Sequence, residues 1–112
     1  PFTFAVQPGT GRMHINDVGQ NTWEEVNLGA AGANFGWPAS EGPDNITAGV
    51  TAPLFAYRHS STNPPGTGPG GFFVGFAIAG GAFYPTSGPA ATFPAGFRGH
   101  YFFADYVSNF VG

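Results

Sequence analysis

Gly11-Arg12-Met13-His14-Ile15-Asn16-Asp17-Val18 sets apolar Met13 and Ile15 against polar His14 and Asn16. A period of two places each set on one face of an extended chain, so the segment predicts a half-buried β-strand. Its outline returns as Gly99-His100-Tyr101-Phe102-Phe103-Ala104-Asp105-Tyr106. Each copy has a glycine, a basic or polar residue, four residues of which two or more are apolar, and then an aspartate. From Asp17 to Asp105 the offset is two units of about 44 residues, within the span of one β-propeller blade. A single matched pair is also what chance produces.

The rest of the chain reads the same way. Residues 2–6 form a short apolar run closed by Pro8-Gly9, a strand and a turn. Residues 24–28 alternate, with Val26 and Leu28 opposed to Glu25 and Asn27. Residues 29–36 are a Gly- and Ala-rich loop ending on Trp37-Pro38, and residues 40–49 are polar and turn-rich. A brief strand is expected at 53–57, then an irregular segment over 58–71. Residues 72–84 are nearly all apolar, which predicts a strand covered on both faces. After a loop at 85–96, strands are expected at 100–105 and 109–111. No segment sustains helical periodicity with a cap. The fold class is all-β, built from antiparallel four-stranded units.

At 112 residues the chain suits one small domain. Its 19 Gly and 11 Pro would alone suggest disorder, but 13 Phe, 4 Tyr and 2 Trp carry enough apolar surface for a core. Charged residues make up only 8%, too few for a solvated disordered chain. The net charge of −3 and the scattered Arg12, Arg58 and Arg98 exclude a phosphate-tracking stripe, so no nucleic-acid partner is expected. No apolar run approaches a membrane span. Without Cys there is no disulfide and no thiolate metal site. Asn45-Ile46-Thr47 is a glycosylation sequon in a eukaryotic secreted context. Pro1 is not a translation start, so the chain is expected to be processed, trimmed or a fragment.

Chemistry concentrates in Asn16-Asp17-Val18-Gly19-Gln20-Asn21-Thr22-Trp23-Glu24-Glu25-Val26-Asn27. Three of the chain's six carboxylates lie here, with four side-chain amides and no Lys or Arg. Oxygen donors around a glycine turn suit a hard cation such as calcium, which takes six to eight oxygens. The alternative is a polar turn whose acids are merely solvated. The spacing is not that of an EF-hand, and the glycine run at 66–71 lacks the Lys-Ser/Thr of a P-loop. His14 and His100 read as structural or exposed. His59, at the start of the long segment, is a candidate site-lining residue. Trp23 reads as core, with a surface aromatic for sugar stacking as the alternative.

Several segments together resemble the glucose/sorbosone dehydrogenase family. They are residues 1–6, the 16–27 stretch with its Glu24-Glu25-Val26-Asn27, and Gly32-Ala33-Asn34-Phe35-Gly36-Trp37-Pro38. Ala79-Gly80-Gly81-Ala82-Phe83-Tyr84 and residues 97–106 complete the set. The resemblance covers most of the chain and implies about two blades of a six-bladed β-propeller that uses pyrroloquinoline quinone (PQQ) and calcium to oxidise sugars. Residues 1–112 would be a partial propeller domain. The family's catalytic His and a cofactor-contacting Arg-Asn pair would lie upstream.

Residue by residue, the resemblance implies that Gly19 and Gln20 bind cofactor-side calcium through their carbonyls, Gln20 standing where the family has Pro. It assigns Glu25 and the Phe35 carbonyl to a second, structural calcium, and makes Trp37 a packing residue under the loop. Asp17, like Asp105, is expected to close a strand. The function implied is part of a PQQ- and calcium-dependent, extracytoplasmic oxidoreductase acting on aldose sugars with an electron acceptor, the chain alone being inactive. Two rivals stand beside it. One is a non-catalytic propeller or β-sandwich module binding carbohydrate or protein. The other is a self-assembling structural β-protein whose strand edges invite association.

Overall fold

A computed structural model describes residues 1–59 and 73–112. Among these, seven strands make two antiparallel sheets. The first is the meander β1 (Thr3–Val6), β2 (Met13–Asp17), β3 (Trp23–Gly29) and β4 (Phe55–Arg58), in that spatial order. The second is β5 (Ile78–Phe83), β6 (Tyr101–Asp105) and β7 (Phe110–Val111). Each strand falls within or against a segment whose composition predicts it.

The register assigns the faces. Asn16 pairs with Val26 and Val26 with Phe55, while Glu24 pairs with Tyr57. By the period of two, His14, Asn16, Glu24, Val26, Phe55 and Tyr57 share the face turned toward the second sheet. There Val26, Tyr57, Ile78 and Phe103 form the buried core, with Phe55, Phe73, Tyr101 and Phe110 packed on it. Each fully buried side chain of this size contributes about 1.5–3 kcal/mol. Tyr57 stacks on Phe103 at a centroid distance of 5.8 Å. His14 is a packing residue, its ring edge-on to Phe83 and Tyr101.

Polar groups tie the layers as well. The Tyr57 hydroxyl donates to Asp105 Oδ2 at 2.9 Å, and Tyr101 donates to Asn16 Oδ1 at 2.9 Å. Asn16 Nδ2 and Thr3 Oγ1 both donate to the Gly80 carbonyl. In a low-dielectric layer such satisfied bonds specify one docking of the sheets, because a lost partner leaves a buried polar group unpaired.

Three expectations are corrected. Only the first sheet has four strands; the second has three, its last just two residues long, and among the described residues no sheet closes on itself. Of the apolar run predicted to be a strand over 72–84, the described strand begins at Ile78, and within that strand only Ile78 is buried. Its alanines have small side chains and its glycines none, and at Gly80 and Gly81, with φ 67° and 134°, the register shifts between Ala79 and Ala82. The loop over 85–96 gives way to a single 3₁₀ turn at Ala95–Phe97. The segment expected at 58–71, with its glycine run, lies outside the described residues apart from Arg58 and His59.

The paired segments around Asp17 and Asp105 become the second strand of each sheet. The two aspartates nevertheless differ. Asp105 is buried and accepts from the amides of Phe76, Ala77, Val107 and Ser108 besides Tyr57. Both aspartates end their strands as expected, β2 at Asp17 and β6 at Asp105, but Asp17 also opens onto a cleft.

Candidate functional site

Consecutive residues of β3 diverge. Glu24 faces the second sheet, and Glu25, paired with Asp17 on one side and Ala56 on the other, faces away from it. A cleft of about 360 Å³ opens on that outer side. Gly19 and Gln20 of the β2–β3 turn, Glu25 of β3 and Phe35 of the following loop all line it, beside Asp17 and Glu41. The two pairs of residues that the resemblance assigns to separate sites thus share one cleft.

Glu25 is buried and, among the described residues, has no cationic partner. Its carboxylate accepts from Asn27 Nδ2 at 2.9 Å and from the Gly42 amide. Burial pushes its carboxyl up; the Asn27 and Gly42 donors oppose this, and the neighbouring charges of Asp17 and Glu41 add to it. A buried carboxylate beside two further acids is what a cation would relieve.

The loop after Trp37-Pro38 builds the opposite wall. One oxygen of Glu41 accepts from the amides of Asn21, Thr22 and Trp23 at 3.0, 2.9 and 3.1 Å. Burial works against ionisation of Glu41, but these amides outweigh it and hold its carboxyl below the usual range. Gly42 lies against the Trp23 indole, and Trp23 in turn donates to Asp44 Oδ2 and carries the Arg58 guanidinium 4.1 Å over its ring. Trp23 is therefore core, as its composition suggests.

Trp37 is not the packing residue that the resemblance implies. It is 60% exposed and lines the cleft, because the turn closed by the Ala39 and Ser40 amides onto the Gly36 carbonyl leaves the indole on the outer wall. His59 is off the cleft lining: its Nε2 lies 2.6 Å from Glu24 Oε1, and Glu24 Oε2 accepts from the Ile78 amide.

The donor set fits calcium. Among the described residues no three His, Asp or Glu side chains converge on one point. Calcium, however, also takes carbonyls and neutral oxygens, and residues that carry them, Gly19, Gln20, Phe35 and Ser40, line the cleft. Among the described residues the buried Oγ of Ser40, a lining residue, has no hydrogen-bond partner, and neither has Asn27 Oδ1, which lies outside the lining on the residue that donates to Glu25. Reasoning from sequence missed Ser40 and Glu41. They sit in a segment that reads only as polar and turn-rich, and the hydrogen bonds of Glu41 reach back 18 to 20 residues.

Residues 1–108 match the family model described as Glucose / Sorbosone dehydrogenase. The chain is 34% identical over 108 residues to the HIPL1 protein of Arabidopsis thaliana, covering 85% of this chain and 14% of that protein. It is 33% identical over 106 residues to the HIPL2 protein of the same plant, covering 83% of this chain and 13% of that protein. The chain thus spans about one-seventh of the length of these relatives.

Proposed function

The chain belongs to the glucose/sorbosone dehydrogenase family, and on that premise we propose that it is part of a PQQ- and calcium-dependent dehydrogenase of aldose sugars that passes electrons to an acceptor outside the cytoplasm. The observation that carries the reading is the shared cleft: Gly19, Gln20, Glu25 and Phe35 line it, and Glu25 is buried there with no cationic side chain paired to it among the described residues. Glu25, Ser40 Oγ and the carbonyls of Gly19, Gln20 and Phe35 are the groups that would hold calcium. When bound, calcium supplies a Lewis acid and PQQ a two-electron oxidant. This chain's part is to hold and orient them.

The two sheets would be neighbouring blades of a propeller. The four-stranded meander and the like placement of β2 and β6 in their sheets support that reading. The outer row Phe2, Phe4 and Val6 along edge strand β1 is exposed. It would be covered by further sheet in a longer polypeptide, and in the isolated chain it would drive self-association.

The test uses the full-length protein with PQQ, calcium, a panel of aldoses and a redox dye. Dye reduction is expected to need all three components and to stop on chelation. Sugar-independent dye reduction, or none with any aldose, would overturn the reading. Residues 1–112 alone are expected to give no turnover above a protein-free control.

A further inference from the structure

We propose that Glu41 is the positioning residue of the cation cleft, its carboxylate setting the Gly19–Trp23 turn so that the Gly19 and Gln20 carbonyls are presented together with Glu25. This rests on the reading of the cleft as a calcium site and adds the element that assembles it.

The geometry is specific. Glu41 Oε1 takes three consecutive amides, Asn21, Thr22 and Trp23, onto one oxygen. Successive amides that converge in this way form an anion-binding concavity, and here a side chain from twenty residues on fills it. The turn is closed tightly around that oxygen. A methyl at Gly19 would stand 2.6 Å from Glu41 Oε1 and 1.6 Å from the Trp23 carbonyl oxygen. The N–H groups drawn to Glu41 share their peptide planes with the carbonyls of Gln20, Asn21 and Thr22, so Glu41 fixes the Gln20 carbonyl directly, while close packing against the Trp23 carbonyl and Glu41 holds Gly19 beside it.

The neighbours of Glu41 reach the other donors. The Gly42 amide donates to Glu25, and Ser40 places its unpartnered, buried Oγ in the cleft wall. Three consecutive residues thus touch the turn, the acid and the open oxygen. Ordering of Ser40–Glu41–Gly42 by a cation at Glu25 would therefore order the Gly19–Gln20 turn too, and the two family-implied positions would fill as a coupled pair.

The experiment titrates the full-length protein with terbium, a luminescent substitute for calcium, exciting tryptophan. Wild type, Glu25→Gln, Glu41→Ala and Glu41→Gln are compared, each also melted in chelator. Glu41→Ala is expected to weaken terbium binding roughly tenfold or more, the usual cost of losing a group that orients metal ligands. Glu41→Gln, which keeps an acceptor oxygen, should recover part of that affinity while melting in chelator close to wild type. This split separates positioning from mere stability. If both Glu41 variants bind terbium as wild type does while Glu25→Gln does not, the proposal is overturned and the calcium cleft stands. If wild type gives no terbium signal, the calcium reading falls and the proposal with it.

Discussion

Glu24 and Glu25 are adjacent on β3 and face opposite sides of the first sheet. Glu24 is wholly buried between the sheets, 2.6 Å from His59 Nε2, while Glu25 borders the outer cleft beside Gly42 and Asn27. A single residue step therefore separates an acid that joins the two layers from an acid suited to a ligand. The pleat alone makes the division.

The two acids should respond differently to loss of charge. Glu24→Ala leaves the Ile78 amide and His59 without their partner in a dry layer. It should cost about 3 kcal/mol or more of unfolding free energy, as breaking a buried pair does. Glu25→Gln in chelator should cost little or be stabilising, because Gln still accepts from Gly42 and the unfavourable buried charge is gone. Denaturant titrations of the full-length protein measure both. Equal losses would contradict the assignment of faces.

How legible the fold is depends on side-chain period. Met13 and Ile15 alternate with polar neighbours, as do Val26 and Leu28, and β2 and β3 follow from them, but on β2 it is His14 and Asn16 that face the second sheet, opposite Leu28 and Val26. The stretch at 72–84 misleads because apolar content was taken for coverage, whereas Gly80 and Gly81 carry no side chain to bury. At the site, Glu25 and its turn are visible as a local density of oxygens. Glu41 and Ser40 are not: the role of Glu41 arises from hydrogen bonds across about twenty residues, and that of Ser40 from a hydroxyl buried without a partner among the described residues, neither of which composition encodes. The exposure of Trp37 was hidden for a related reason, as the turn at Gly36 decides it.

Asp105 should govern the acid limb of stability. Burial alone would raise its carboxyl, but the Ser108 and Ala77 amides, the Tyr57 hydroxyl and the Phe76 amide outweigh burial and hold it below the usual range. A group whose folded value is depressed stabilises above its unfolded value, near 3.8, and that contribution is lost as pH falls through the folded value. Acid unfolding of wild type should therefore steepen below about pH 4. Asp105→Asn should flatten that limb and lower stability at neutral pH. Tyr57→Phe should cost about 1–2 kcal/mol, since Asp105 keeps its four amide donors. Acid titrations of the variants that overlay the wild-type curve would count against this role.

Gly42 and Gly9 separate backbone strain from close packing. Both have positive φ, 69° and 82°, where any residue with a Cβ is disfavoured. A methyl at Gly9 meets nothing within 4 Å, so Gly9→Ala should cost only the conformational term, about 1 kcal/mol. At Gly42 the same methyl would lie 2.2 Å from the Trp23 ring, itself held by Asp44 and covered by Arg58. The indole cannot retreat without breaking those contacts, so Gly42→Ala should cost roughly 3 kcal/mol. It should also draw the Gly42 amide away from Glu25 and weaken cation binding, while Gly9→Ala leaves binding unchanged. Thermal melts with and without calcium read both effects. Equal shifts for the two variants would mean that the Trp23–Gly42 contact is not what fixes the cleft wall.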